Sequence, residues 1–396
     1  MLNDVGELDL GALRDDPWTL AFEGFDPANE PRREALLTLA NGYMGVRGAA
    51  SEFPANDVHY PGTYLAGVFN RVQSNINGRD AEHESMVNTP NWLHLDLRFA
   101  EGEWWSEGGL HPSKEHVALD LRRGLLTRTL TLSDPEPRPD GSIRSLDVVQ
   151  RRLVSLRHRH LGAQETTLIP HNYTGRLHVR TGIDPTVTNS GVAEYKELNS
   201  HHLMLLESTT LPDEHETLLS LVRTTQSKIE IAMAQRTRVE SEVPSSERRE
   251  VRPGGIEFRR HLIQVSSDQP VIIDSTTAVV TGRDAAISSP REAPWPSWTA
   301  PRSACASCWH RTRSSVPACG TATRSRSTPP RTPRNRAAPS WPCAPICSTP
   351  LRRWHRTCHC ATPAYPPVVC TARATAATSS GTSCSSCPWS ICATRM

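Results

Sequence analysis

From residue 92 to residue 99 the chain reads WLHLDLRF, which puts Trp92, Leu93, Leu95, Leu97 and Phe99 mostly on one face and His94, Asp96 and Arg98 on the other. A period of two marks a strand with one face in a core and the other in water, so a half-buried strand is predicted here. The pattern recurs on both sides of this segment. Trp18 to Phe22 reads as a first strand, and VALDLRRGLLTRTLTL, from Val117 to Leu132, supplies two strands that turn about Arg123 and Gly124. SLDVVQRRLVSLRHRHLGAQETTLIP and RLHVRTGIDPTV continue the series. Beyond Glu194, the segments HHLMLLESTT, TLLSLVRTTQSKIEIAMAQRTRVE, GIEFRRHLIQVS and PVIIDSTTAVVTGRD are long, alternating and β-branched. Three segments break the period. PRREALLTLANG, from Pro31, reads as a short helix or strand closed by Asn41 and Gly42. DPEPRPDGS, from Asp134 to Ser142, reads as a flexible excursion, and SEVPSSERRE, from Ser241 to Glu250, as a charged surface turn. Regular strands without amphipathic helices between them predict an all-β chain, a large antiparallel β-sandwich rather than an α/β sheet.

One stretch is neither alternating nor helical. Asn41 to Trp92 sets Gly42, Gly45, Gly48, Gly62 and Gly67 among aromatic and β-branched residues, which predicts short strands joined by tight turns. Its second half is rich in amides, with Tyr60, Tyr64, Asn70 and Trp92 as the candidate substrate-binding residues. Amides with aromatics suit a neutral polyhydroxyl ligand, and they equally satisfy one another in an ordered loop. Trp104 and Trp105 pose the same choice, between a sugar platform and the packing of a loop at the sandwich edge.

The words FEGFDP at Phe22, NGYMGVRG, HYPGTYLAGVFNR and NTPNWL occur in order and resemble the amino-terminal domain of glycoside hydrolase family 65, the maltose, trehalose and kojibiose phosphorylases and their hydrolase relatives. The resemblance covers residues 15–288, after a flexible N-terminus at 1–14. It implies a β-sandwich placed ahead of an (α/α)6 barrel that carries the chemistry, an α-linked disaccharide or oligosaccharide as substrate, and a homodimer in the intact family. It also implies inversion at the anomeric carbon: a barrel glutamic acid protonates the glycosidic oxygen while inorganic phosphate, the co-substrate of the phosphorylases, attacks from the opposite face. No other cofactor is implied.

Charge changes the picture for the remainder. The formal net charge of +2 conceals residues 1–292, with 31 Lys and Arg against 42 acids and hence a net of −11, and residues 293–396, with 13 Arg and no acid. Those last 104 residues also hold all 11 cysteines and 15 of the 32 prolines, with no Phe and a single Leu. Such a composition cannot build a packed core, so 289–396 is expected to be disordered. Cys305 with Cys308, Cys358 with His359 and Cys360, and Cys384 with Cys387 have the spacing of zinc ligands, yet no predicted element converges the pairs, and no metal site is assigned. Arginines beside Trp309 or Trp354 would attract phosphates without a folded motif, so no specific nucleic-acid partner is expected. A third account is a change of reading frame between Ser288 and Pro301. With permissible codons, Thr371 to Trp389 read from the third nucleotide gives GEGYRGHVFWDELFVLPW, which resembles the start of the active-site face of family 65 barrels. Ala318 to Thr328 at the same offset gives LWDRYEIEVDT, which resembles the barrel-entry segment. The tail then stands in place of the catalytic barrel.

No carboxylate follows Glu292, so no catalytic residue is assigned, and this polypeptide is expected to be inactive. Glu82 and Glu84, which flank His83, read as surface or structural acids. The alternative function is a noncatalytic carbohydrate-binding or dimerisation module. There is no basic amino terminus leading into an apolar run, and no apolar segment of about 18 residues. Cytoplasmic residence without a membrane partner is therefore expected, and the sequon at Asn172 has no use there.

Overall fold

The computed structural model describes residues 16–293, apart from residues 77, 190–197, 213–216 and 286. The tail expected to be disordered and out of frame lies outside the described residues from 294 onward. In chain order the strands are β1 (Thr19–Glu23), β2 (Leu39–Ala40), β3 (Met44–Val46), β4 (Thr63–Ile76), β5 (Arg79–Thr89), β6 (Asn91–Phe99), β7 (His111–Asp120), β8 (Leu125–Ser133) and β9 (Ser145–Val154). They continue with β10 (Leu161–Pro170), β11 (Gly175–Asp184), β12 (Leu203–Thr210), β13 (Leu218–Thr224), β14 (Glu230–Glu240), β15 (Ser246–Arg252), β16 (Ile256–Val265) and β17 (Val271–Thr281). The segment left open between helix and strand contains both: α1 (Glu30–Leu36), with proline in its first turn, and then β2.

All pairings are antiparallel. Nine strands form one sheet in the order β1-β7-β8-β9-β10-β17-β14-β13-β12, and two four-stranded sheets, β15-β16-β11-β6 and β2-β3-β4-β5, accompany it. The two small sheets cover different parts of the same face of the large one. Leu130, Leu132, Leu146, Val148 and Ile273 of the large sheet pack against Leu95, Leu97, Leu177, Val179 and Ile263. Leu119, Leu126, Ile231, Met233 and Val279 pack against Met44, Val46, Leu65, Val68 and Val87. Alternation explains the division: along β8, β9 and β17 every second side chain faces these cores. The expected large antiparallel sandwich is the architecture observed.

Two expectations need correction. WLHLDLRF is buried on both faces, not one. The loop after β6 folds back over its polar side, where Ser106 donates to Asp96 from both its hydroxyl (2.7 Å) and its backbone N–H (3.2 Å). SEVPSSERRE is only half turn, because Ser246–Arg252 is β15. That strand lies at a sheet edge with no buried face, so it carries charge where a hydrophobic period would otherwise betray it.

Candidate functional site

The stretch from Asn41 to Trp92 is held by buried charge rather than by hydrophobic contact alone. Glu34 of α1 is almost wholly buried; its carboxylate lies 3.0 Å from His59 Nδ1, accepts from the Tyr60 N–H at 3.0 Å and reaches Arg47 at 3.4 Å. Arg47 also donates to the Tyr60 and Pro31 carbonyls. Further along, Glu52 is fully buried and receives both terminal nitrogens of Arg128, at 2.8 and 2.9 Å, while Arg128 Nε donates to Glu115 at 2.7 Å. Burial works against the charge on Arg128, but Glu52 and Glu115 outweigh it and raise its pKa. Neighbouring Arg152, held by the Ala49 carbonyl, is lowered to about 10 by burial and by Arg128. Gln150 donates to Ser51 at 2.7 Å. The glycine-rich loop is therefore fastened to the large sheet by β8 and β9 side chains, an arrangement no local spacing reveals.

The four predicted binding residues part company. Trp92 is 1% exposed and belongs to the core; its carbonyl accepts from Gln235 Nε2 at 2.6 Å and its ring lies over Gly162. Asn70 is buried too. Its Oδ1 accepts from the backbone N–H groups of Gln226 and Ser227, each at 2.9 Å, and its Nδ2 donates to Thr225 Oγ1 at 2.9 Å, so the residue clamps a turn. Trp92 is enclosed by the core, whereas Asn70 borders the second depression described below. Tyr60 and Tyr64 are brought together: the Tyr64 hydroxyl donates to the Tyr60 oxygen at 3.2 Å, and Tyr60 donates to the Thr188 carbonyl at 3.0 Å. Burial raises the pKa of both phenols, which keeps them as neutral donors.

Beside this pair lies an open depression of about 430 Å³, lined by Asn56, Asp57, Asp184, Thr186, Thr188 and Asn189 among others. Amide, hydroxyl and carboxylate groups converge on it, the donor and acceptor set that a saccharide needs. Asp184 already accepts from the Thr186 backbone and hydroxyl, at 2.9 and 2.6 Å. A second depression, of about 310 Å³, is lined by Phe69, Arg71, Glu84, Gln226, Ser227 and Arg283 among others. It exists because β4 bulges between Tyr64 and Phe69, with Gly67 at φ +77°, and this turns Phe69 outward. Glu84 pairs with Arg71 at 2.9 Å on the exposed side of the hairpin and Glu82 is exposed beside it, whereas His83 turns inward beside His202. Trp105 is core, and Trp104 is stacked under Arg180. Among the described residues no group of His, Cys, Asp and Glu could hold a metal ion, and no helix is long and apolar enough to cross a membrane.

The sequence matches the family model described as Glycosyl hydrolase family 65, N-terminal domain, over residues 20–334. The chain belongs to this family. Relatives include an uncharacterized glycosyl hydrolase of Mycobacterium tuberculosis, 36% identical over 287 residues, which cover 71% of this chain and 21% of that protein. Kojibiose phosphorylase of Thermoanaerobacter brockii is 30% identical over 210 residues, 53% of this chain and 24% of the relative. Trehalose 6-phosphate phosphorylase of Lactococcus lactis is 51% identical over 59 residues, 15% of this chain and 8% of the relative. A solved structure of a candidate kojibiose phosphorylase from the human microbiome shares the fold with a TM-score of 0.59 at 13% identity, over 76% of this chain and 37% of the other. The chain thus spans about a fifth to a quarter of the length of the first two of these relatives.

Proposed function

We propose that this polypeptide is the sandwich portion of an α-glucoside phosphorylase or hydrolase of family 65 and that the 396-residue chain turns over no glycoside itself. The observation that carries the reading is the match to the family's amino-terminal domain in a chain with no carboxylate after Glu292. Inverting cleavage needs a proton donor held across the sugar from the attacking phosphate or water. Of the acids before that point that line the two depressions, Asp184 is engaged in a turn and Glu84 is paired with arginine, and Asp57 has no ion-pair partner among the described residues. The substrate class is an α-linked glucose disaccharide, with inorganic phosphate as co-substrate, in keeping with relatives named as kojibiose, trehalose and maltose phosphorylases. In the same reading the tail is an out-of-frame remnant standing where the barrel belongs. Purified chain incubated with kojibiose, maltose or trehalose, with and without phosphate, is expected to release neither glucose nor glucose 1-phosphate. Turnover above a heat-killed control overturns the first part; a nucleotide sequence downstream of codon 288 without a barrel in another frame overturns the second.

The depression beside Tyr60 and Tyr64 favours a second reading, a noncatalytic saccharide-binding module. An open surface of this kind supports millimolar affinity, roughly −4 kcal/mol, and calorimetry with maltooligosaccharides on wild type and Asn189→Ala decides it. Heat that is absent, or equal in both chains, removes the reading.

A further inference from the structure

The face of β15-β16-β11-β6 turned away from the core holds an arrangement that neither the sandwich nor a neutral sugar requires. Asp96, Arg180, Arg260 and Arg248 form one row across the four strands, each the direct partner of the next. Like charges directly opposite one another destabilise a sheet, and three arginines stand so here. Only Arg180 is neutralised, by Asp96 at 2.9 Å and Glu250 at 3.2 Å. Arg260 and Arg248 have no carboxylate within ion-pair distance among the described residues. In the adjacent row Arg98 stands opposite His178; it donates to the Gly102 carbonyl at 2.9 Å, and its Nε is buried without a partner.

Trp104 gathers these groups, with the guanidinium carbons of Arg180, Arg98 and Arg260 at 4.0, 5.0 and 5.8 Å from its ring centroid. The electrostatics agree with the geometry. Burial, then Arg260 and Arg180, hold Arg98 below its usual range. His178 is lowered by burial, then by Arg260, Arg98 and Arg176. This positive concentration sits on a domain whose sequence through residue 292 is acidic.

We propose that Arg98 and Arg260, beside Trp104, together with Arg248 opposite Arg260, form a binding site for a phosphate dianion, either free or as the ester of a sugar. Guanidinium forks match the tetrahedral oxygens, and the bound charge relieves the repulsion along the row. Neutral saccharides gain nothing from the row.

The test is thermal unfolding of the full chain, followed by circular dichroism, in NaCl, inorganic phosphate or glucose 6-phosphate at one ionic strength. Ligand at about tenfold over Kd is expected to raise Tm by roughly 2–4 °C. Arg260→Gln and Arg98→Gln lose that rise, whereas Arg71→Gln, on the distant hairpin, keeps it. Without the anion, Arg260→Gln is expected to raise Tm, because it removes a like-charge neighbour. A larger response to the sugar phosphate assigns the ester as ligand, and an equal one assigns the free anion. A rise in wild type that NaCl reproduces, a rise retained in both glutamine variants, or a lower anion-free Tm in Arg260→Gln each overturns the proposal.

Discussion

Replacing Glu52 by glutamine removes one charge from a buried cluster and leaves the shape nearly unchanged. In wild type the carboxylate takes two hydrogen bonds from Arg128, and both residues are buried. Breaking a buried pair by neutralising one partner costs about 3–5 kcal/mol, because the surviving charge stays desolvated. Arg128 keeps Glu115 at 2.7 Å, which places the cost near the lower end, about 3 kcal/mol. Arg152 alongside adds repulsion that Glu52 now offsets. Urea unfolding followed by far-ultraviolet circular dichroism reads the change without interference from the six Trp of the tail. Arg128→Met alone is expected to be costly as well, because it leaves Glu52 bare. The double variant is then expected to lose at least about 1 kcal/mol less than the sum of the two single losses. A Glu52→Gln loss under about 1 kcal/mol, or strict additivity, refutes the view that this pair fastens the glycine-rich loop to the sheet.

Acid is expected to destabilise the domain through buried imidazoles. Burial, with Arg180 and Arg252 nearby, lowers His94 to about 3, and burial with Arg259 lowers His261 to about 4. The unfolded chain takes up protons from about pH 6.5 downward and the folded chain does not, so the contribution is complete above that value. It falls by about 1.4 kcal/mol per pH unit for each histidine as pH drops toward 4. A Tm that stays flat between pH 7.5 and 5 contradicts this, and His261→Gln is expected to reduce the slope. Gly162→Ala introduces a methyl group 2.5 Å from the Trp92 ring, which is enclosed, and is expected to cost about 1–3 kcal/mol in urea, less in a Trp92→Phe background. A chain ending at Ala293 is expected to keep the β-rich spectrum and Tm of the full chain. One ending at Asp284 loses about 1–2 kcal/mol with the packing of Ile287 and Ala293 on the outer face of the large sheet, and equal Tm for the two shortened chains counts against that packing.

The class of fold was written in the period of two: Leu130, Leu132, Leu146, Val148 and Ile273 all reach the core on alternate positions, and alternation is a local property that any window of the chain displays. Word-like segments such as NGYMGVRG and HYPGTYLAGVFNR carried the family, because they are contiguous. Which residues meet across the chain was decided elsewhere. Trp92 suits a core strand and a binding surface equally in sequence, and only the closure of the sheets put it in the core. Phe69 became an exposed ring because a bulge, in which β4 advances from Tyr64 to Phe69 while β5 advances only from Asn88 to Met86, reversed its face, and such a shift of pairing cannot be read from composition. Glu34, Glu52 and Asp96 are buried acids whose basic partners lie at sequence separations of 13 to 84 residues. Tertiary structure alone sets such pairs, since a charge enters a core only where a distant opposite charge or donor arrives with it.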